Sequence, residues 1–563
     1  VGYPGTPSTE TLEHFSALEG VYAEWAPNEK VALEVAAGVS LGGKRALVTM
    51  KHVGLNVAAD PLFTLAYTGV GAGLVIFVGD DPGLHSSQNE QDSHNYAAFA
   101  RIPMLDPADS AEALVFTKLA FELSEKFDLP VLVRSTVRVS HAKTLVEVGE
   151  RTEAPARAEY RTDPAKWVMM PGMAKLRRLE LEKRVAAVTA WAETAQVNSV
   201  EMRDTATGII CAGVCYQYVR EAAPDASVLK LGMTYPLPEA KVREFASAVD
   251  RLIVVEEADP YLSRSVRRSG IEVTPLDLPV SGELSPQTIA RALGAADPPM
   301  RDAEKDLPPR PPLMCPGCPH RPVFDTLRRV RAVVSGDIGC YTLGALKPLA
   351  AMDTCVDMGA SIGMAHGLEI SGGVEGRPVV AVIGDSTFAH SGIAGVLDIV
   401  YNGGGGTVLI LDNRITAMTG HQGNPVNGIT LQHRQSKELD IEGLMTALGV
   451  RRVRVVDPQD FGATEAAIRE ETAAEELSVI VFRSPCALLV RESRDPFAVD
   501  EDACTACGRC VKLGCPAIGR DEITGKAVID IMICTGCGQC VQVCRQDAIV
   551  RSGASCDAPG VAR

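Results

Sequence analysis

Over the first 150 residues, short apolar runs alternate with stretches of helical period. Ala46–Met50, Leu74–Val78 and Val131–Val133 are nearly unbroken by polar residues, as strands buried on both faces are, whereas Ala111–Leu123 repeats its apolar positions at helical spacing. This alternation predicts a doubly wound parallel sheet. From about residue 150 to 200 charge dominates, prolines come early, and Lys175–Glu193 reads as one long polar helix, the expected linker. A smaller α/β unit follows, with strands expected at Thr207–Ala212, Val228–Leu231 and Leu252–Glu256, and a proline-rich stretch at 297–312 ends it. A third α/β unit runs to about Glu492, its strands expected at Val379–Ile383, Val408–Leu411 and Ser478–Phe482. The expected domains are therefore 1–150, a linker at 151–199, 200–298, 299–494 and a separate tail at 495–563.

At 563 residues the chain is too long for one hydrophobic core. Its net charge of −16 argues against nucleic acid or anionic lipid as the main partner, since both need a basic surface. No apolar run approaches the roughly 20 residues that span a bilayer, and no charged-then-apolar leader opens the sequence. A cytoplasmic enzyme is the expectation. Val1-Gly2-Tyr3-Pro4-Gly5 reads as a strand-to-turn junction, so a strand is expected before it. The run Gly403–Gly406 reads as a helix-to-strand turn, not a phosphate cradle.

Of the 16 cysteines, most of those with a recognisable spacing lie in the tail. They run Cys504-x-x-Cys507-x-x-Cys510-x-x-x-x-Cys515-Pro516 and then Cys534-x-x-Cys537-x-x-Cys540-x-x-x-Cys544. Three thiolates two residues apart let one loop hold three corners of a cubane, while the fourth ligand crosses to the other cluster. Cys504, Cys507, Cys510 and Cys544 are thus expected on one [4Fe–4S] cluster, and Cys534, Cys537, Cys540 and Cys515 on the other. Paired zinc sites are the alternative, but they favour separated Cys-x-x-Cys pairs over triplets. The tail resembles two-cluster bacterial ferredoxins, with one extra residue before Cys515 and Arg545 in place of the second proline. Cys556 reads as a spare thiol, and Cys211, Cys215 and Cys355 as packing residues.

In the third unit one strand ends in Gly384-Asp385-Ser386 and another in Asp412-Asn413-Arg414-Ile415-Thr416. In a parallel sheet both lie at the carboxyl edge, where ligands bind. Glycine permits close approach to a phosphate; Asp385, the Asn413 amide and the Ile415 carbonyl supply hard oxygens suited to Mg²⁺. A Gly-Asp followed by Asn about 28 residues later resembles the thiamine-diphosphate motif of transketolase-like enzymes, with Ser386 where glycine is common.

Taken together, Cys315-Pro316-Gly317-Cys318-Pro319-His320, Gly336-Asp337-Ile338-Gly339-Cys340-Tyr341, Asp385-Ser386 and Thr416-Ala417-Met418-Thr419-Gly420-His421-Gln422 resemble the large subunit of indolepyruvate:ferredoxin oxidoreductases. At the front, Gly2-Tyr3-Pro4-Gly5-Thr6-Pro7-Ser8 and His85-Ser86-Ser87-Gln88-Asn89-Glu90-Gln91-Asp92 are similar to the same family. The resemblance covers nearly the whole chain. It implies three transketolase-like α/β domains and a C-terminal two-cluster ferredoxin domain. It also implies thiamine-dependent oxidative decarboxylation of aryl 2-oxoacids to acyl-coenzyme A. Electrons would pass through [4Fe–4S] clusters to ferredoxin.

Under this resemblance residues 1–150 bind the aminopyrimidine, and Gly339, Cys340, Gly384, Asp385, Ser386, Asn413, Thr416, Met418 and Thr419 surround the cofactor. Glu29 becomes the carboxylate that activates the pyrimidine ring, with Glu34 its rival. Thr6 meets the substrate carboxylate, and His52 is a polar group of the pocket, as are His85, His320 and His421. Cys315, Cys318, Cys340 and Cys486 resemble the ligands of a third, thiamine-proximal [4Fe–4S] cluster, with buried free thiols as the alternative. The resemblance further implies a smaller β subunit in an α₂β₂ assembly. Two departures bear on substrate choice: Asp80-Asp81 stands near where pyruvate enzymes place an arginine, and His94 also replaces one. Other readings are a relative acting on another 2-oxoacid such as phenylglyoxylate, or a non-oxidative thiamine decarboxylase. The latter has no use for the tail clusters.

Overall fold

Strands of five or six residues, apolar on both faces, need helices on each side to hide them, and this requirement organises the parallel sheets of the chain. The computed structural model describes residues 1–150, 162–298, 307, 311–372, 376–490 and 494–552. The chain divides into two compact units, Val1–Lys305 and Asp306–Arg563.

The first unit holds two sheets. One has the order Ala46–Lys51, Leu74–Asp80, Val131–Thr136, Met104–Leu105, Met233–Tyr235. Its pairings are parallel except the last, where Met233–Tyr235 runs antiparallel to Met104–Leu105. The second has the order Asn198–Glu201, Ala226–Leu231, Asp204–Ala212, Leu252–Val255, antiparallel only at its Asn198–Glu201 edge. Alternate residues of its three parallel strands face opposite cores: Ile210, Leu229 and Val254 go to one side, Ile209, Val228 and Ile253 to the other.

The expected linker proves to be in large part a structural member of this unit. Its helix, Pro171–Thr194, buries Leu181, Val185, Val188 and Ala192 in the core of the first sheet. Arg177 and Arg184 donate to the carbonyls of Tyr67 (3.0 and 2.8 Å), at the C-terminal end of helix Ala59–Thr68, so the unsatisfied end of one helix is capped by the other.

The second unit is built on a six-stranded, wholly parallel sheet. Its order is Thr354–Cys355, Val333–Gly336, Val379–Gly384, Thr407–Asp412, Ser478–Arg483, Arg452–Val456. Helices His320–Val330 and Phe461–Glu471 cover one face, where Val380, Val382, Leu409, Leu411 and Phe482 are buried. Ala381, Ile383, Ile410 and Val481 belong to the core on the other face. The tail adds two antiparallel ribbons, Phe497–Val499 with Ile549–Arg551 and Ile518–Arg520 with Ala527–Ile529. Its small core of Phe497, Leu513, Ile529 and Ile549 includes Phe461 from the α/β part of the unit. No described helix is long and apolar enough to cross a membrane.

Candidate active site

Three parallel strands of the second unit deliver Asp337, Asp385 and Asn413 to one sheet edge, immediately after Gly336, Gly384 and Asp412. Gly384 is required by space: a Cβ there would lie 2.7 Å from the Tyr341 ring. That ring is buried, and its hydroxyl donates to the Ile338 carbonyl at 2.9 Å. Asp337 fixes the neighbouring loop by accepting from the amides of Ile338, Gly359 and Ser361 at 2.8, 2.7 and 3.0 Å. Thr342 accepts from the Gly339 amide at 3.1 Å and donates to the Asp337 carbonyl at 2.6 Å, closing the turn that carries Cys340.

Asp385 is 3% exposed, and its Oδ1 accepts from the Ser386 amide at 2.8 Å. Burial first, and then the nearby carboxylate of Asp412, push its pKa up to about 7. Two carboxylates share a desolvated edge here, which is the electrostatic setting a divalent cation relieves. The Asn413 side chain is equally enclosed: Oδ1 accepts from the Ile415 amide at 3.3 Å, and Nδ2 lies 3.4 Å from His320 Nε2. Burial lowers the pKa of His320 to about 4, so its imidazole meets Asn413 as a neutral ring. Thr416 donates to the Ser386 hydroxyl at 2.9 Å, and Asn424 Nδ2 donates to Thr416 Oγ1 at 3.3 Å and to Asp385 Oδ2 at 3.5 Å. Thr419 donates to Gln422 Oε1 at 2.5 Å, Met418 is half exposed, and His421 is exposed at a positive φ of 67°.

Asn424 and Asn427 are site residues that the sequence motifs did not single out. The Asn427 side chain donates to the Arg414 carbonyl at 2.7 Å, and Asn424 Oδ1 accepts from the Val426 amide at 2.9 Å, so the pair ties down the loop after Asn413. The signal available was the asparagine spacing in Gln422-Gly423-Asn424-Pro425-Val426-Asn427.

Eight tail cysteines line two cavities, although among the described residues no three His, Cys, Asp or Glu side chains stand close enough together to hold a single metal ion. One cavity is lined by Cys504, Cys507, Cys510 and Cys544, another by Cys515, Cys534, Cys537 and Cys540. Cys315, Cys318, Cys340 and Cys486 lie near enough to one another for their charges to interact. Burial, opposed by the His320 amide and the Arg321 charge and aided by Cys315 and Cys340, pushes the Cys318 thiol up to about 12. Burial and then Cys486 and Cys315 raise Cys340 to about 11. Cys486 is raised by burial and by Cys315, and its amide donates to the Asn413 carbonyl at 3.0 Å. A thiolate-binding cation or cluster offsets such mutual repulsion, and the four-cysteine sets have the donor chemistry for one. Cys211 and Cys215 are buried in the first unit, and Cys355 is half-buried beside Gly336. Cys556 lies outside the described residues.

In the first unit Glu29 opens helix Glu29–Leu41, is 6% exposed, and lies so close to Gly54 that a Cβ there would meet its Oε1 at 2.5 Å. Glu34, by contrast, is half exposed and paired with Lys30. Pro7, next to Thr6 in the loop 2–8, packs on Gly79 at the end of strand Leu74–Asp80. His52 is buried, with Nε2 3.2 Å from the Asn89 carbonyl and Nδ1 without a partner among the described residues. His85 is half exposed and pairs with Glu283 at 3.1 Å.

His94 belongs to a buried ionic group. Its Nδ1 lies 2.5 Å from Asp92 and its Nε2 3.1 Å from Asp106, while its ring stacks on Tyr261 at 5.0 Å. Arg134 reaches Asp80 at 2.7 Å and Asp106 at 3.2 Å, and Glu256 and Glu257 line the same cavity.

Family models match along most of the chain. Residues 1–207 match the thiamine-diphosphate-binding model of pyruvate flavodoxin/ferredoxin oxidoreductases, 337–482 the C-terminal thiamine-pyrophosphate-binding model, and 497–545 a 4Fe-4S dicluster domain. The chain is 39% identical to the indolepyruvate oxidoreductase subunit IorA of Methanothermobacter marburgensis, over 98% of this chain and 94% of that one. It is 40% identical to the subunit of the same name from Archaeoglobus fulgidus, over 97% and 93%. Among solved structures, a 2-oxoglutarate:ferredoxin oxidoreductase from Magnetococcus marinus is 18% identical, with a TM-score of 0.42 over 52% of this chain and 61% of that one.

Proposed function

Since the chain belongs to the family of the indolepyruvate oxidoreductase subunit IorA, among the thiamine-dependent 2-oxoacid:ferredoxin oxidoreductases, we propose that it oxidatively decarboxylates aryl 2-oxoacids such as indolepyruvate and phenylpyruvate. Coenzyme A takes the acyl group and ferredoxin the electrons. The observation that carries this reading is the junction of Asn413 with Cys486. A hard-oxygen edge fit for a metal diphosphate adjoins, through one backbone hydrogen bond of 3.0 Å, a cysteine set fit for an electron acceptor. A non-oxidative decarboxylase has no need of that junction.

In this reading Asp385, Asn413 and the Ile415 carbonyl would hold Mg²⁺, while the Ser386 amide holds Asp385 and the Thr416 hydroxyl ties the loop after Asn413 to Ser386. Bound thiamine diphosphate supplies the electron sink for decarboxylation. Glu29, buried at the start of its helix, would be the carboxylate that meets the pyrimidine ring of the bound cofactor. Thr6 and His52 orient the substrate carboxylate and carbonyl. Cys315, Cys318, Cys340 and Cys486 ligate a proximal [4Fe–4S] cluster, and the two cysteine-lined cavities of the tail hold two more, three in all.

The aryl preference is supported by the name the relatives carry, and a partner by the word subunit in it. A smaller β subunit joins this chain in an α₂β₂ assembly. The test is anaerobic turnover of the co-expressed assembly with indolepyruvate, phenylpyruvate, pyruvate and 2-oxoglutarate, each with coenzyme A and a viologen dye. Higher kcat/KM for the aryl acids is expected, whereas a preference for pyruvate or 2-oxoglutarate overturns the substrate assignment. CO₂ release without dye reduction overturns the oxidative one. Full activity of the chain alone removes the need for the partner.

A further inference from the structure

By volume, Arg321 is the first of the fully buried side chains among the described residues, at 1% exposure in the first turn of helix His320–Val330. A buried guanidinium normally lies against a carboxylate, because removing a cation from water costs several kcal/mol. Arg321 has no such partner among the described residues. Its Nη1 donates to the Leu513 carbonyl at 2.7 Å, its Nη2 to the carbonyls of Met314 and Cys315 at 2.8 and 3.0 Å, and its Nε is unpartnered. All three acceptors are neutral backbone groups.

Those acceptors bracket two of the cysteine sets. Met314 and Cys315 begin the Cys315–Cys318 loop, and Leu513 lies two residues before Cys515; a Cβ on the intervening Gly514 would stand 3.6 Å from Arg321 Nη1. The two sets also adjoin one another. Pro316 and Gly317 help line the cavity of Cys515, Cys534, Cys537 and Cys540. A Cβ on Gly317 would meet Thr535 Oγ1 at 2.8 Å and Cys537 Cβ at 3.5 Å. Gln539 donates across the same junction to the Cys318 carbonyl at 3.0 Å. The cavity of Cys504, Cys507, Cys510 and Cys544 is lined by none of these groups.

We propose that Arg321 is a positioning residue for electron transfer, a buried cation whose countercharge is the pair of clusters it lies between. It raises the reduction potential of both, and among the tail clusters only of the one at Cys515, Cys534, Cys537 and Cys540, which makes that cluster the first acceptor in the tail. The inference rests on the cluster assignment above. A cubane with four thiolates is a dianion that becomes a trianion on reduction by one electron, so a nearby fixed positive charge favours the reduced form. In the step itself one electron leaves the reduced proximal cluster and one enters the tail cluster, with no bond made and no proton moved. The cluster at Cys504, Cys507, Cys510 and Cys544, whose Cys507 is exposed, then delivers to the external acceptor.

The test is an EPR-monitored redox titration of the complete assembly, comparing wild type with Arg321→Gln and Arg321→Lys at equal iron content. Glutamine should lower the ratio of reduced to oxidised form of one tail cluster about tenfold at fixed potential, a shift of about 59 mV for one electron. Lysine should restore it, and the other tail signal should stay in place. Arg321→Met is a second neutral replacement if glutamine hinders assembly. Unmoved potentials in fully loaded neutral variants overturn the role of Arg321 alone. Absence of any tail-cluster signal in reduced wild-type protein overturns the cluster assignment and this proposal with it.

Discussion

Replacing His94 by glutamine should convert a pH-dependent stability difference into a measurable curve. Burial alone would favour the neutral ring, but Asp92 and Asp106 outweigh both that and the repulsion of Arg134, and the pKa rises from 6.5 to about 9. At about 1.4 kcal/mol per pH unit this corresponds to about 3 kcal/mol of preference for imidazolium in the folded protein. Because the folded value lies above the unfolded one, the contribution is complete below pH 6.5 and is lost as pH rises through about 9.

Other groups of the first unit titrate across this range, among them Glu257 and Lys51. Glu257, raised to about 7 chiefly by burial, lowers stability as pH rises from 4.5 to that value. Lys51, lowered to about 8 by burial, restores some stability as pH rises from there toward 10.5. Both are present in wild type and variant, so most of their contribution cancels in the difference between the two proteins. Thermal unfolding followed between pH 6 and pH 10 should show a gap of about 5 °C at the acid end, given about 2 °C per kcal/mol for a unit this large. The gap should shrink toward the alkaline end to what the lost stacking on Tyr261 contributes. A gap of constant size across that range would refute the ion-pair reasoning and leave His94 as a packing residue.

The remaining expectations concern the cofactors. Asp385→Ala should lose thiamine diphosphate and Mg²⁺ on desalting; full retention, measured by thiamine fluorescence and metal analysis, would remove Asp385 from the site. Iron analysis of anaerobically purified protein should give about twelve irons per chain, falling with Cys486→Ser, and a value of about eight unchanged by that substitution would leave only the tail clusters. Glu29→Gln should lower kcat by about 10²–10⁴-fold with the cofactor still bound. Glu34→Gln should stay near wild type, since Glu34 already pairs with Lys30 at the surface; the reverse order would exchange their roles.

What the sequence made legible was governed by short-range rules. Val379–Gly384 and Thr407–Asp412 could be read because strands buried on both faces are nearly free of polar residues, and the turn that follows each lies at the carboxyl edge of a parallel sheet, where ligands bind. The tail could be read because a cubane dictates thiolate spacing, and the two cavities group the cysteines as that spacing divides them. Helix Pro171–Thr194 looked like a linker because lysine, arginine and glutamate surround its narrow stripe of Leu181, Val185, Val188 and Ala192. Asp80 and His94 stood out singly, but their grouping with Asp92, Asp106 and Arg134 was not legible. Its members come from segments that are neighbours only after the sheet has formed, and no local pattern distinguishes a buried aspartate from a solvated one.

The antiparallel pairing of Met233–Tyr235 with Met104–Leu105 bears on how the first unit tolerates cutting. A chain ended at residue 199 would keep every strand of the first sheet except its outermost, and would bare the hydrogen-bonding edge of Met104–Leu105. Unprotected edges of this kind recruit foreign strands and aggregate. Insolubility of such a truncated protein should therefore be relieved by extending it past Tyr235, because the later segment acts as a selvedge sewn onto the earlier sheet.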